Sequence, residues 1–181
     1  RDIYKKLGQE TIEKVNENPY ILVDLGIRVD FHQIDRMALS IGFEKTNLKR
    51  IDCGLLHALS LASTNGHSCV LEENLIRYAS SLLGVSEEDI ADGINDLIAK
   101  EKIVVETRDK NINWVYSKEY FEAEKNIVKN IKSLQDADNI KAFRNLDKKL
   151  KEIDGIKLSK EQIDAIKLVN DNNVSIITGG P

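Results

Sequence analysis

The sequence predicts a mainly α-helical fold that includes one small β-hairpin. Apolar residues recur every three or four positions through most of the chain, which is the period of an amphipathic helix. Two short runs rich in β-branched and aromatic residues, "KIVVET" and "NWVYS", flank the polar turn "RDKN" and predict the hairpin. With 41% hydrophobic and 31% charged residues, the composition is that of a folded domain rather than a disordered chain.

Charge, cysteine content and hydropathy limit the functional classes that fit this chain. The formal net charge is −4, whereas proteins that grip nucleic-acid phosphates are usually basic, so we expect any DNA contact to be local. The two cysteines, Cys53 and Cys69, are too few for a disulfide framework and are typical of reduced thiols. No apolar run approaches the roughly 18 residues of a membrane helix and no signal-peptide pattern opens the sequence, so we expect a cytoplasmic protein without membrane contact.

The first 47 residues are predicted to form small helices joined by tight turns. "DIYKKLGQETIEKVN" reads as two short helices that pivot at Leu7 and Gly8, and Asn18-Pro19 begins the next helix. A further helix, "DFHQIDRMALSIG", ends at Gly42. Its inward face is predicted to carry Ile34, Met37, Ala38 and Ile41.

Residues 48–117 are predicted to form three helices and the hairpin. The helices are "RIDCGLLHALSLASTNG", "EENLIRYASSLLG" and "SEEDIADGINDLIAKEK", with a short strand "SCVL" after the first and Ser86 as N-cap of the third. This order is typical of a winged helix-turn-helix domain. Arg108 and Lys110 would lie on the wing, where they either contact a DNA backbone or belong to a solvated turn.

Two linker helices are predicted over residues 118–156, "EYFEAEKNIVKNIKSL" and "IKAFRNLDKKLKEID". Residues 118–151 carry nine Lys and Arg against six acids. This surplus fits either an ordinary amphipathic surface or a weak electrostatic guide for DNA.

The last 25 residues are predicted to form a helix followed by a strand that runs into Gly179 and Gly180. A strand followed by glycines resembles the opening of a phosphate-binding P-loop, G-x-x-x-x-G-K-[ST]. In the preceding helix, Gln162 lies three residues after Ser159. It fits two roles, that of a capping-box residue and that of an amide that reads adenine, and the two can coexist.

Taken in order, these segments resemble the N-terminal part of RecD-like ATP-dependent DNA helicases of superfamily 1, the relatives of the exonuclease V alpha subunit. The segments that carry the resemblance are "IYKKLG", "NPYIL", "FHQIDRMALSIG", "GLLHAL", "NGHSCVL", "LLGVSEEDI", "VYSKEYFEAE" and "LSKEQIDAIKLV…VSIITGGP". The resemblance implies a 5′-to-3′ motor that works on single-stranded DNA or on a junction of single- and double-stranded DNA in repair or recombination. It hydrolyses ATP, with Mg²⁺, between two RecA-like lobes.

The same resemblance implies four parts of the chain. They are a helix-hairpin-helix segment (1–47), a winged helix (48–117), linker helices (118–156) and the start of a RecA-like lobe that is cut inside the P-loop (157–181). Gln162, Gly179 and Gly180 are the implied nucleotide contacts. The chain would hold no catalytic residue, bind no cofactor by itself, show weak DNA affinity and be inactive alone.

Two departures from DNA-binding patterns point to a structural role. The hairpin turn reads Arg28-Val29-Asp30-Phe31, where a DNA-gripping turn has glycines that let backbone amides reach phosphate. Asp30 would repel a phosphate and Arg28 would attract one. The third helix of residues 48–117 carries six carboxylates around Lys100, so we predict that it does not enter a major groove.

Cys53 with His57, and His67 with Cys69, are residue types that bind zinc, but ordinary packing explains them better. Neither spacing fits a common structural zinc pattern, so no metal is expected. Two functional alternatives stay open beside the helicase fragment. One is a stand-alone winged-helix regulator that binds duplex DNA, and the other is a protein-docking module that uses the acidic face of the third helix.

Overall fold

The computed structural model describes residues 2–25, 30–108, 111–138, 143–151 and 158–179. The chain divides into two compact units, residues 1–122 and 123–181. Three predicted site residues, Arg28, Lys110 and Gly180, lie outside the described residues. Within the described ranges, no helix is both long enough and apolar enough to cross a membrane.

The first unit opens with short helices, as the sequence predicts. They are α1 (Asp2–Leu7), a 3₁₀ turn (Gly8–Glu10), α2 (Thr11–Glu17), α3 (Ile21–Asp24) and α4 (Phe31–Ser40). Gly8 adopts φ +64°, which favours glycine and explains the pivot between α1 and α2. Helix α4 buries Phe31, Ile34 and Ala38. The prediction for Ile41 is wrong: the helix ends before it, and its side chain is 46% exposed.

The predicted order of three helices, a short strand and a hairpin is confirmed over residues 48–117. The elements are α5 (Leu48–Thr64), β1 (Cys69–Leu71), α6 (Glu72–Leu83), α7 (Glu87–Ala99), β2 (Ile103–Arg108) and β3 (Ile112–Ser117). The caps explain the helix bounds. Asn47 accepts a hydrogen bond from Lys49 N at 2.9 Å, Gly84 ends α6 in the left-handed region, and Ser86 and Asp89 form a capping box on α7.

The three strands form one antiparallel sheet in the order β1-β3-β2. Val115 on the central strand is fully buried and lies opposite Val70 and Val105, so this face of the sheet joins the core. The other face carries Trp114 and Tyr116.

Helix α5 lies at the centre of the first unit, where it packs against α4, α6, α7 and the sheet. Helix α7 approaches it closely because Gly93 has no side chain, and a Cβ there would overlap Ile51. A Cβ at Gly54 would lie 2.8 Å from Leu83 of α6. One hydrophobic cluster runs from Tyr20 through α5 to Val115, so the N-terminal helices and the sheet share a core.

Helix α8 (Lys118–Gln135) begins in the first unit and extends past its boundary at residue 122. The second unit also contains α9 (Leu146–Lys151) and α10 (Lys160–Asp171). Neither α8 nor α10 buries a residue. Asn173 Nδ2 donates to Ala137 O at 2.6 Å, and Phe143 N donates to Asn170 Oδ1 at 2.8 Å.

Two predictions for the second unit are wrong. The helix predicted over residues 140–154 is formed at Leu146–Lys151 but does not include Phe143 and Arg144, because Asn145 adopts φ +61° just ahead of Leu146. Residues 140–142 and 152–154 lie outside the described residues. The strand predicted at residues 174–178 is not formed. A strand needs a hydrogen-bonded neighbour, and the described part of this unit contains no other strand.

Candidate functional site

Asp30, in the turn that is predicted to have a structural role, caps the helix that follows it. Its carboxylate accepts a hydrogen bond from His32 N at 3.2 Å at the start of α4. A negative side chain is favourable at a helix N-terminus, because it compensates the partial positive charge of the free amides. The carboxylate therefore binds the His32 backbone N–H, a donor that a bound phosphate would need. This supports a structural role for the turn.

A buried ion pair connects α4 to α5. Arg50 is 3% exposed, and its Nε lies 2.8 Å from Asp35 Oδ1 and its Nη2 3.0 Å from Asp35 Oδ2. Arg50 Nη1 also donates to Lys45 O at 2.8 Å, and Tyr20 OH donates to Asp35 Oδ1 at 2.7 Å. Burial, together with the hydrogen bond to Asp35, raises the pKa of the Tyr20 hydroxyl. This network fixes the N-terminal helices on α5.

His57, whose residue type could bind zinc, stacks on an aromatic ring. Its ring centroid lies 4.8 Å from that of Phe31 and 5.8 Å from that of His32. Burial lowers the pKa of His57, and the nearby His32 adds to the effect. Neither Cys53 nor Cys69 forms a disulfide. Among the described residues, no group of three or more His, Cys, Asp or Glu is arranged to hold a metal ion.

Arg108, the described wing residue, packs on the face of the sheet that carries Trp114 and Tyr116. Its guanidinium carbon lies 5.4 Å from the centroid of the Trp114 ring and 5.6 Å from that of Tyr116. Its Nε lies 2.6 Å from Glu106 Oε2, and it donates to the Tyr116 hydroxyl. The bond to Glu106 raises the pKa of Arg108. Because its charge is balanced by Glu106, Arg108 is a weaker phosphate contact than an unpaired arginine.

Some acids in and just after α7 form hydrogen bonds or ion pairs, and others are exposed. Asp89 closes the capping box, and Glu101, just after the helix, pairs with Lys118 at 2.6 Å. Glu87, Glu88 and Asp92 are exposed, with no ion-pair partner among the described residues. The surface of α7 is therefore negative, which agrees with the prediction that it does not enter a major groove.

A second charged cluster connects α5 to α7 through Lys100. Its Nζ lies 2.6 Å from Asp52 Oδ2 and also pairs with Asp96. Asp52 is only 8% exposed, and burial raises its pKa to about 6 in spite of the nearby ammonium. The hydrogen bond from Lys100 lowers the pKa of the more exposed Asp96. Asp52 is thus the group in this cluster that titrates nearest neutral pH.

The predicted nucleotide contacts lie in the second unit. Gln162 forms the capping box at α10: Ser159 N donates to its Oε1 at 2.8 Å, and Gln162 N donates to Ser159 Oγ at 3.3 Å. Gly179 is exposed, and a Cβ there would meet no atom within 4 Å. The capping role of Gln162 is confirmed. Its role toward a nucleotide stays a prediction.

Sequence reasoning missed both charged clusters. The available signal was Arg50 and Asp52, two charges that flank the buried Ile51 at the start of an apolar helix. Charged residues are almost never fully buried unless they are paired, so partners were to be expected.

The comparison with protein families concerns the region that contains the hairpin and α5. Residues 1–69 match the family model of the ATP-dependent RecD2 DNA helicase HHH domain. The matched range contains α1 to α5 and the Arg50–Asp35 pair. The N-terminal region of this chain is therefore similar to the helix-hairpin-helix domain of RecD2 DNA helicases.

Proposed function

We propose that this chain is the N-terminal accessory region of an ATP-dependent 5′-to-3′ DNA helicase that acts in DNA repair or recombination. The observation that carries the proposal is the family match over residues 1–69, whose description is that of a DNA helicase. The order of the sequence segments beyond residue 69, which resembles RecD-like helicases, supports the same assignment.

Residues 48–117 act, in this proposal, as a winged-helix scaffold. The order α5-β1-α6-α7-β2-β3 and the sheet order β1-β3-β2 support this assignment. The scaffold packs on the motor and shapes the DNA path instead of reading a duplex. Exposed Glu87, Glu88 and Asp92 favour that role, because a phosphate backbone would repel them.

We further propose that residues 157–181 lead into the RecA-like ATPase lobe. In the intact helicase, Gln162 would contact adenine. Gly179 and Gly180 would begin the loop that surrounds the ATP phosphates and their Mg²⁺ ion. The exposed Gly179, with open space around it, is compatible with close approach of a phosphate. The chain itself binds and positions, and it contributes no catalytic group.

Fluorescence anisotropy tests the DNA-binding part of this proposal. A forked DNA with a 5′ tail and a blunt duplex are titrated with the chain at two salt concentrations. We expect weak binding to both, with a small dependence on salt, because few phosphates are neutralised. Tight, sequence-dependent binding to the duplex would contradict the proposal and favour a winged-helix regulator.

A further inference from the structure

A groove runs along α5 on the side that faces Lys102. It is formed by two cavities of about 260 and 560 Å³, which adjoin because Leu56 and Lys102 line both. The lining residues on α5 extend from Lys49 to Ser63, a length of roughly 21 Å at 1.5 Å per residue. That length accommodates about six residues of an extended peptide.

Three polar atoms without hydrogen-bond partners belong to residues of this groove. In the described part of the chain, the buried side-chain atoms that lack a partner are Asn18 Oδ1, Asp52 Oδ1 and Ser117 Oγ. Asn18 and Asp52 line the first cavity, and Ser117 lines the second. Buried polar atoms are nearly always paired in native proteins, so these three atoms are hydrogen-bonding capacity beside the groove that the described chain leaves unmet. Two of the three atoms are acceptors only, so the ligand must donate.

The first cavity combines an apolar wall with a cationic rim. Leu56, Leu97 and the buried Tyr20 supply apolar surface. Lys49 and Lys102 are exposed, and neither has an ion-pair partner among the described residues. At the far end, Glu101 is neutralised by Lys118, and Glu119 is exposed. The rim near Asn18 therefore attracts negative side chains.

We propose that this groove binds an extended acidic segment of a partner protein, with carboxylates that pair with Lys49 and Lys102 and apolar side chains that contact Leu56. A peptide backbone carries an N–H donor at each non-proline residue, which suits the acceptors on Asn18 and Asp52. The sugar-phosphate backbone of DNA has no such donors, so in a nucleic acid only the amino groups of the bases could serve these acceptors. The proposal does not rest on the helicase assignment, because it uses only contacts within residues 1–122.

The probe is a labelled eight-residue peptide in which Asp and Phe alternate. The control peptide has Lys at each Asp position. Binding is measured by anisotropy and by NMR chemical-shift changes on the whole chain. The test variant is Lys49→Glu with Lys102→Glu. The control is Lys45→Glu with Lys129→Glu, which changes the net charge equally at exposed positions outside the groove.

We expect the acidic peptide to bind with shifts at Leu56 and Lys102, and the basic peptide not to bind. The groove variant should lose at least tenfold in affinity, and the control variant less than twofold. Failure of the acidic peptide to bind, or equal loss in both variants, would overturn the proposal. Displacement of the peptide from the groove by a single-stranded oligonucleotide would also overturn it, since the occupant would then be nucleic acid. A DNA-unwinding assay of the gene product reports separately on the helicase assignment.

Discussion

Arg50 and Asp35 form a bidentate ion pair in the interior of the first unit, with N···O distances of 2.8 and 3.0 Å. Removal of one partner leaves an uncompensated buried charge. We therefore expect Arg50→Met or Asp35→Leu alone to lower the free energy of unfolding by about 3–5 kcal/mol in urea titrations. The double variant should lose much less free energy of unfolding, because it leaves no buried charge unpaired. Equal costs for the single and double variants would show that the pair does not act as a unit.

Asp52 gives the stability of the first unit a pH dependence. Its pKa is raised to about 6, so the folded state holds this proton more tightly than the unfolded state does. The resulting stability is fully present below about pH 4 and is lost as the pH rises through about 6. Between pH 4 and 8, the free energy of unfolding of the wild type should fall by about 1–3 kcal/mol relative to that of Asp52→Asn.

Parallel urea titrations of the two proteins across that pH range measure this loss. Exposed Asp92→Asn on α7 is the control and should follow the wild type. A constant difference between the wild type and Asp52→Asn at all pH values would contradict the assignment.

Ser117 carries a buried hydroxyl without a partner among the described residues. Its replacement by Ala removes an unsatisfied polar atom and keeps the backbone pairing of β3 with Ile103. We expect Ser117→Ala to leave the free energy of unfolding unchanged or to raise it by up to about 1 kcal/mol. Thermal unfolding followed by circular dichroism measures the change. A clear drop in the melting temperature would mean that the hydroxyl is hydrogen-bonded in the free protein.

Arg108 covers the single tryptophan of the chain, which provides a direct optical readout. Arg108→Ala should expose Trp114 and shift its fluorescence emission to longer wavelength, with a stability loss of about 1 kcal/mol from the lost cation–π contact. Arg108→Lys should shift the emission less, because a lysine stem still covers part of the ring. An unchanged emission maximum in Arg108→Ala would exclude this packing role.

Local signals were sufficient to predict most of the first unit. The Ser86 cap specifies the start of α7 from neighbouring residues alone, and the structure contains it where expected. The wrong predictions concern segments whose structure depends on distant residues or on an unusual backbone conformation. The left-handed Asn145 keeps Phe143 and Arg144 out of α9, and the run at residues 174–178 has no neighbouring strand in the described chain.

The candidate site was less predictable than the fold. Arg50 and Asp35 are 15 residues apart in sequence, and Asp52 and Lys100 are 48 apart. Such pairs meet only after the helices pack, so a periodicity argument does not find them. The groove beside α5 has the same origin, because residues from Asn18 to Tyr120 contribute to its walls.

ATP-dependent unwinding by the complete gene product that contains this chain tests the central claim most directly. The substrate is a fork with a 5′ tail, compared with one that has only a 3′ tail, and the isolated chain is assayed in parallel for ATP hydrolysis. We predict unwinding of the 5′-tailed fork by the gene product and no hydrolysis by the isolated chain. A gene product that neither hydrolyses ATP with DNA nor unwinds the fork, or an isolated chain that turns over ATP, would contradict the account.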